Sequence, residues 1–229
     1  QGKIIQGKRD GVWLKFNENG SLQTKQTYKL GILNGAYFDS SGIYSSLKGE
    51  YKNNKKHGLW VSSFYLNKEF NLRENYSEGK LNGVSEKHYD NGNLVFKRIY
   101  THGILNDGEW IEYYKNGKIF SKKNIKEGKL NGVYETFYRD GNLSLKKNYL
   151  NGKLHGDSYK YYQNKILQSK KTFINGILND GEWITYHENG KPYFKENFKK
   201  GKLDGLSTIF YEDGKVKTKQ YYKKGLPHG

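Results

Sequence analysis

Glycine recurs at a fixed spacing along this chain, and the period limits the folds that the chain can adopt. A first column recurs every 24 or 25 residues, with Asn54 in one of its slots; its members are Gly7, Gly31, Gly79, Gly103, Gly128, Gly152, Gly176, Gly201 and Gly225. A second column follows four or five residues after each slot, at Gly11, Gly35, Gly58, Gly83, Gly108, Gly132, Gly156, Gly181, Gly205 and Gly229. Such self-similarity indicates a repeat architecture, in which each repeat packs mainly on its neighbours.

A third glycine column lies in the middle of most repeats and predicts a β-hairpin in each of them. The pairs are Asn19-Gly20, Ser41-Gly42, Asn91-Gly92, Asn116-Gly117, Asp140-Gly141, Asn189-Gly190 and Asp213-Gly214. Asn-Gly and Asp-Gly between strand-forming runs are typical of a type I′ turn, which needs positive φ at both central residues. Asn67-Lys68 and Asn164-Lys165 replace this glycine and favour longer loops. Segments such as 128–132 predict a second, wider turn between repeats.

Nine hairpins in series predict an all-β fold. We expect an elongated, single-layer antiparallel meander of about 18 strands, forming an open-ended ribbon roughly 85 Å long. The repeats begin near residues 7, 31, 54, 79, 103, 128, 152, 176 and 201, with a partial repeat at 225–229, so one repeat domain is predicted to span residues 1–229. Both ends fall inside a repeat, which indicates either a longer parent chain or an edge blunted by Pro227 and nearby lysines.

The composition is unusual for a folded protein. Only 34% of the residues are hydrophobic and the mean hydropathy is −0.98, values typical of disorder. The 21 Tyr, 11 Phe and 4 Trp, with only 2 Pro, argue instead for a folded chain. No stretch approaches the ~20 apolar residues of a membrane-spanning helix. With no Cys, disulfides, thiolate ligands and a cysteine nucleophile are excluded.

Aromatic residues form columns in register with the glycines. One column begins the first strand of a repeat, at Trp13, Tyr37, Trp60, Trp110, Tyr134 and Trp183. Another closes the second strand, at Tyr28, Tyr51, Tyr76, Tyr100, Tyr149, Phe173, Phe198 and Tyr222, and doublets such as Phe64-Tyr65 and Tyr113-Tyr114 close the first. Stacking across strands is favoured over a cofactor site, because it is the main stabilising contact open to a thin sheet. The first column is also the candidate aromatic surface.

A column of basic residues accounts for part of the net charge of +17. Its members are Lys25, Lys48, Arg73, Lys97, Lys122, Lys146, Lys170, Lys195 and Lys219. Eight of the nine lie three residues before a closing aromatic, and Lys122 lies three before Ile125, so the two columns should lie on opposite faces of the sheet. The column is either a stripe for a polyanion, an acidic protein or an anionic membrane, or a solubilising face. Interspersed Asp and Glu favour the solubilising role, and with only four Arg, sequence-specific nucleic acid is disfavoured.

The sequence contains no set of residues typical of a catalytic site. His57, His155 and His228 fill a turn slot that holds Asn or Asp in other repeats, too far apart to share a metal ion. No phosphate-binding glycine loop, nucleophile elbow or HExxH motif is present. We therefore expect no catalytic, cofactor-binding or metal-binding residues, and no enzyme.

A longer period is superimposed on the repeat. The segments 31–34, 103–111 and 176–184 share the start Gly-Ile-Leu-Asn and are spaced by 72 and 73 residues. Duplication of a three-hairpin block explains this pattern. The alternative is a set of like surface patches that engage one partner more than once.

Two repeats carry a resemblance to a known family. Gly152-Lys153-Leu154-His155-Gly156 with Tyr161-Tyr162, Asn164 and Leu167, and the repeat 128–151 with Tyr138, Asp140-Gly141, Leu143 and Tyr149, resemble the MORN-repeat variant of bacterial YwqK-like antitoxin proteins. The resemblance extends over essentially all 229 residues. It implies an antiparallel sheet of hairpins that serves as a protein-binding scaffold, in some members as the antitoxin or immunity partner of a toxin.

The resemblance also sets the functional expectations. The expected partner is another protein, with a toxin as one identity, and the alternative is attachment to anionic lipid or a polyanion through the basic column. Related repeats occur in plant phosphatidylinositol-phosphate kinases, but a kinase label would not reflect activity here, since no kinase motif is present. A bacterial protein that is exported or at the cell surface is favoured over a cytoplasmic one.

Overall fold

The chain folds into antiparallel strands joined by short turns. The computed structural model describes residues 2–41, 44–64 and 70–228, in which no helix is present and none could therefore cross a membrane. These residues group into two units, one reaching Asn106 and including Lys115–Gly117, the other formed by Asp107–Tyr114 and the chain from Lys118 onward. The doublet Phe64-Tyr65 and the turns at Ser41-Gly42 and Asn67-Lys68 fall wholly or partly outside the described residues. The prediction of one domain stays a prediction.

In the first unit, each strand pairs antiparallel with the strand before it and the strand after it. The strands are β1 (Lys3–Ile5), β2 (Lys8–Phe16), β3 (Leu22–Lys29), β4 (Ile32–Asp39), β5 (Tyr44–Lys52), β6 (Lys55–Phe64), β7 (Phe70–Ser77), β8 (Lys80–Tyr89), β9 (Leu94–Thr101) and β10 (Ile104–Leu105).

The second unit has the same antiparallel meander. Its strands are β11 (Gly108–Tyr113), β12 (Ile119–Lys126), β13 (Lys129–Phe137), β14 (Leu143–Leu150), β15 (Lys153–Leu154), β16 (Gly156–Tyr161), β17 (Leu167–Ile174), β18 (Ile177–Leu178), β19 (Gly181–Tyr186), β20 (Pro192–Lys199), β21 (Lys202–Leu203), β22 (Gly205–Phe210), β23 (Val216–Lys223) and β24 (Leu226–Pro227). The predicted meander of tandem hairpins is confirmed. The number of strands exceeds the prediction because, in several repeats, the first strand of the hairpin is interrupted just before the glycine of the second column.

The structure reverses the two turn predictions. Between repeats the turns are the tight ones, since both central residues have positive φ, as at Leu30 (+48°) and Gly31 (+87°). In the mid-repeat turns only the glycine has positive φ. Gly20 has a φ of +80°, and its N–H donates to Asn17 O at 2.9 Å. This is a type I turn followed by a left-handed glycine. The preceding Asn contributes through its side chain, because Asn19 Oδ1 accepts from the N–H of Ser21 at 3.0 Å.

The loop at Asn164-Lys165 is not longer than its counterparts, contrary to the prediction. Lys165 takes the glycine conformation, with a φ of +71°. Its N–H donates to Tyr162 O at 3.0 Å, and the N–H of Tyr162 donates to Ile166 O at 2.9 Å, the bonds found in the glycine-containing turns. The repeat therefore keeps its turn and forces a lysine into a left-handed conformation.

Replacing Lys165 by glycine should remove this strain. We expect Lys165→Gly to raise the free energy of unfolding by about 1 kcal/mol, the net of relieved left-handed strain and added chain entropy. Urea denaturation measures the change. Lys160→Gly, in strand β16, is the control and should be destabilising. A loss of stability in Lys165→Gly would contradict the turn assignment.

The second glycine column works together with the closing aromatics. Gly58 pairs directly with Tyr76, Gly132 with Tyr149, and the same pairing recurs in most repeats. These glycines have positive φ, for example +121° at Gly205 and +134° at Gly181, a region that side chains disfavour. An aromatic residue opposite a glycine shields the bare strand, so each closing aromatic covers the weakest point of its hairpin.

Candidate interaction surfaces

The strand register assigns the two predicted columns to opposite faces of the sheet. Residues paired directly across strands share a face, and neighbours along a strand do not. Trp13 pairs with Gln26, whereas the next pair is Leu14 with Lys25. The same alternation holds at Trp60 and Val61, at Trp110 and Ile111, and at Trp183 and Ile184. We call these faces the aromatic face and the basic face.

The aromatic face of the first unit is tightly packed around Trp60. The ring of Trp60 lies within 5.6 Å of Tyr37 and 5.0 Å of Tyr51 between centroids, and 6.4 Å from Tyr76. Its Nε1 donates to Glu50 O at 3.1 Å, and only 2% of the residue is exposed. The ring of Trp60 can pack here only because residue 49 is glycine. A Cβ on Gly49 would lie 2.3 Å from the indole ring.

Cations cover the rings on this face. Lys56 Nζ lies 4.4 Å from the ring centre of Trp60 and 4.7 Å from that of Tyr76, an attractive placement. Burial lowers the pKa of Lys56, although the carboxylate of Glu74 acts in the opposite direction. Burial and the nearby Asp39 carboxylate raise the pKa of Tyr37 to about 12. Tyr37 therefore stays neutral near physiological pH and can remain packed in the cluster.

The second unit repeats the arrangement around Trp183. The ring lies 4.5 Å from Phe198 and 6.4 Å from Phe173 between centroids, with Lys171 Nζ 5.1 Å from the ring centre. Trp183 is 7% exposed. The other members of the candidate aromatic surface, Trp13, Tyr37, Trp110 and Tyr134, are half-buried. The rings of Trp60 and Trp183 pack between strands, in agreement with the stacking interpretation, and the aromatic binding surface stays a prediction.

The basic face carries a row in which cations alternate with other side chains. In the first unit, Lys25 lies between Leu14 and Phe38, and Lys48 lies between Phe38 and Val61. Further along, Glu86 lies between Arg73 and Lys97. In the second unit, Glu135 lies between Lys122 and Lys146, whereas Lys170 faces Tyr159 and Lys195 and Lys219 face Thr208. The predicted basic column is present, but apolar, acidic and hydroxyl side chains lie between its members.

Carboxylates neutralise much of the basic column. Lys97 pairs with Glu86 and Lys146 with Glu135, both at 3.1 Å, Lys170 with Asp157 at 2.9 Å and Lys195 with Glu182 at 4.0 Å. Opposite charges facing each other across strands stabilise a sheet modestly. These residues are therefore a poor stripe for a polyanion.

Asp157 shows how completely such a carboxylate is occupied. It accepts hydrogen bonds from Thr172 Oγ1 at 2.6 Å, Tyr159 OH at 2.8 Å and Lys170 Nζ, which lies 2.9 Å away. Bonds from Thr172, Lys170 and Tyr159 lower its pKa to about 2. A carboxylate with such a low pKa stays ionised, so it serves the fold and is unsuited to proton transfer near neutral pH.

A hollow of about 630 Å³ lies at the repeats that begin near residues 31 and 54. Ala36, Phe38, Leu59 and Val61 line it together with Leu22, Tyr37, Gly49 and Glu50, and Lys25 and Lys48 border it. Leu59 is 51% exposed. This part of the basic face thus combines accessible apolar side chains with lysines, the pattern expected of a docking surface.

The residue before most of the second glycines connects neighbouring repeats, a role that the sequence predicted only as a turn residue. Asp107 Oδ1 accepts from the N–H of Glu127 at 2.8 Å, and His155 Nδ1 accepts from that of Asn175 at 3.4 Å. Bonds of the same kind join Asp10 to Leu30, Asn34 to Asn53, Asn82 to His102, Asn131 to Asn151, Asp180 to Lys200 and Asp204 to Lys224. The structural role of His155 is confirmed, and no metal-binding group of His, Asp and Glu occurs in the described part of the chain.

The second aromatic of each doublet provides another link that sequence reasoning missed. In the second unit, the hydroxyl of Tyr114 donates to Phe137 O at 2.6 Å, that of Tyr138 to Tyr161 O at 2.7 Å and that of Tyr162 to Tyr186 O at 2.8 Å. Each bond spans 23 or 24 residues. The exact recurrence of this aromatic at the repeat period was the signal that could have revealed the link.

Comparison with known proteins identifies the repeat. A family described as MORN repeat variant matches six segments, at residues 9–30, 106–127, 130–151, 154–175, 179–200 and 203–224, which together exceed half of the chain. No curated protein matches the chain. MORN repeats are generally repeats for protein or membrane interaction. The antitoxin assignment and the bacterial source stay predictions. The chain belongs to the MORN repeat variant family.

Proposed function

We propose that this protein is a non-enzymatic scaffold that binds another protein on the basic face of its first unit, in the manner of an antitoxin or immunity protein. The observation that supports this proposal is the hollow between Lys25 and Lys48, with its apolar lining. A partner that inserts an apolar side chain there and offers carboxylates to the two lysines would complement both properties of the surface.

The exposed apolar residues supply the affinity in this proposal. Leu14 and Leu59 remain half in water on the same face, so covering each would stabilise a complex by about 1 kcal/mol, half the value for a fully exposed side chain. The net charge of +17 would accelerate association with an acidic partner. We expect such an interface to be centred on Phe38 and Leu59, with the lysines at its rim.

The non-enzymatic part of the proposal rests on how the polar groups are used. Carboxylates on the basic face are held in ion pairs, and the polar turn residues accept backbone hydrogen bonds. A phosphatidylinositol-phosphate kinase label would accordingly not describe the activity. Phosphate transfer by the purified chain that is abolished by substitution of one carboxylate would overturn this part.

A site-specific cross-linking experiment tests the docking surface. A photoreactive amino acid replaces Phe38 in one variant and Lys15, an exposed residue of the aromatic face, in a matched control. After irradiation in cells of the parent organism, we expect one defined protein to be cross-linked from position 38 and not from position 15.

The affinity of that protein for purified Leu59→Asp then provides the decisive number. Leu59 is already half exposed, so the substitution should leave the fold intact and weaken binding at least ten-fold by placing a charge in the interface. Equal labelling from both faces, or an unchanged affinity of Leu59→Asp, would contradict the proposal.

A further inference from the structure

Lys56 occupies a position that is apolar in most other repeats. It lies in strand β6 and pairs directly with Tyr51, the closing aromatic of the preceding strand. The corresponding residue is a half-buried leucine elsewhere, at Leu33, Leu81, Leu105, Leu130, Leu154, Leu178 and Leu203. Lys56 is half-buried as well. An amine therefore stands in the place of an aliphatic side chain, on the aromatic face of the first unit.

The amine of Lys56 has aromatic neighbours and no polar partner. Its Nζ lies over the rings of Trp60 and Tyr76. Among the described residues, no ion pair or side-chain hydrogen bond involves this Nζ, whereas Nζ of the adjacent Lys55 lies 3.2 Å from Glu78 Oε2. The side chain of Lys55 is 56% exposed. Two consecutive lysines are thus placed in contrasting surroundings.

Opposing effects act on the protonation of Lys56. Burial disfavours the ammonium and outweighs the carboxylate of Glu74, so the pKa of Lys56 lies below the ordinary lysine value. The ring faces also favour the ammonium and limit the shift. Glu74 accepts a hydrogen bond from Tyr76 OH at 2.9 Å. Tyr51, on the other flanking strand, stays neutral because burial raises its pKa. Near neutral pH, the neutral amine is therefore more populated at Lys56 than at an exposed lysine.

We propose that Lys56 is a modification site, at which activated acyl compounds of the thioester class acylate the amine without an enzyme. A neutral lysine amine is a nucleophile, and desolvation by apolar neighbours activates it. The lone pair of Nζ attacks the thioester carbonyl, a C–N bond forms, and the C–S bond breaks. The thiol leaves with a proton from the amine. The products are an amide on Lys56 and a free thiol, so the reaction requires no oxidant or reductant.

The position of Lys56 suits the acylated product. Acylation removes the positive charge, and the neutral amide then lies where other repeats have leucine. Arg9 occupies the same position in its own repeat, with its guanidinium carbon 4.6 Å from the ring centre of Trp13 and 5.6 Å from that of Tyr28. A guanidinium does not lose its proton in proteins and is no nucleophile. Among the described residues of this column, the reaction is therefore specific to Lys56.

Labelling of the full chain with S-acetyl-N-acetylcysteamine, a small thioester, tests the proposal. The reagent is uncharged, so the net charge of the protein does not concentrate it. Peptide mass spectrometry gives the acetylation rate of each lysine. Near pH 7 we expect Lys56 to react about five-fold faster than Lys52 and Lys55, its exposed neighbours. This advantage should shrink as the pH approaches about 10, because ordinary lysines then lose their protons as well.

Glu74→Gln separates activation of the amine from its accessibility. The glutamine Oε1 can still accept from Tyr76 OH, whereas the charge that favours the ammonium is lost. We expect Lys56 to react about two-fold faster in this variant, with the rate of Lys52 unchanged. Glu86→Gln is the matched control, because Glu86 pairs with Lys97 on the basic face and should not affect Lys56.

Three results would overturn the proposal. They are a rate at Lys56 no higher than that at Lys52 near neutral pH, a ratio of the two rates that does not change with pH, and equal rates at Lys56 in Glu74→Gln and Glu86→Gln. The first two measurements use the unaltered chain, so they decide the question even if a variant is unstable. None of these results depends on the docking surface at Phe38.

Discussion

Trp60→Ala should lower the free energy of unfolding by about 3–5 kcal/mol, the largest loss expected from a single side chain. Trp60 is 2% exposed and contacts the rings of Tyr37 and Tyr51. A thin sheet has little other buried volume to compensate, because the buried hydrophobic residues of the described chain are Trp60, Ile125 and Trp183. Chemical denaturation followed by circular dichroism measures the loss without relying on tryptophan emission.

Gly49→Ala tests the same packing from the opposite strand. A Cβ at this position would lie 2.3 Å from the indole ring, so either the ring or strand β5 must move. Trp110→Ala, at the equivalent half-buried site in another repeat, is the matched control and should cost less. A loss below about 1 kcal/mol for Trp60→Ala would show that the aromatic cluster is not the centre of the first unit.

Gly205→Ala should be among the most damaging exchanges in the second glycine column, at about 2–4 kcal/mol. Gly205 has a φ of +121°, which an alanine adopts only under strain, and a Cβ there would lie 3.1 Å from Cβ of Asn197. Asn197 is itself held in place, because its Nδ2 donates to Leu206 O at 3.0 Å. The added methyl group therefore meets a neighbour that cannot withdraw freely.

Gly20→Ala provides the comparison for this effect. Gly20 has a φ of +80° and nothing within 4 Å of an added Cβ, so only the left-handed strain of about 1 kcal/mol remains. Thermal or urea unfolding of both variants gives the difference directly. Equal losses would mean that the second glycine column is not specially constrained.

The sequence predicted the architecture well because the glycine period and the aromatic columns are local signals. It misassigned the turns, since Asn-Gly occurs in both kinds. At Asn151-Gly152 it forms the tight turn with two positive φ values, whereas at Asn19-Gly20 the side chain of Asn accepts a backbone hydrogen bond and only glycine is left-handed. The distinction depends on the register of the flanking strands, which the dipeptide does not encode.

The charges were harder to predict than the fold. Sequence spacing places Lys97, Lys146 and Lys170 on one face, but their neutralisation by acids on the adjoining strands follows only from the pairing register. The burial of Trp60 was hard to predict for a similar reason, because it depends on a glycine at position 49 of the partner strand.

The central claim is that a protein partner docks on the basic face of the first unit, where Lys25 and Lys48 border the apolar hollow. Acetylation rates of individual lysines, measured by mass spectrometry, test it most directly. We predict that the cross-linked protein partner protects Lys25 and Lys48 and leaves the ion-paired Lys146 and Lys170 of the second unit at the rates of the free protein. Equal protection of all four lysines, or no protection of Lys25 and Lys48, would contradict the account.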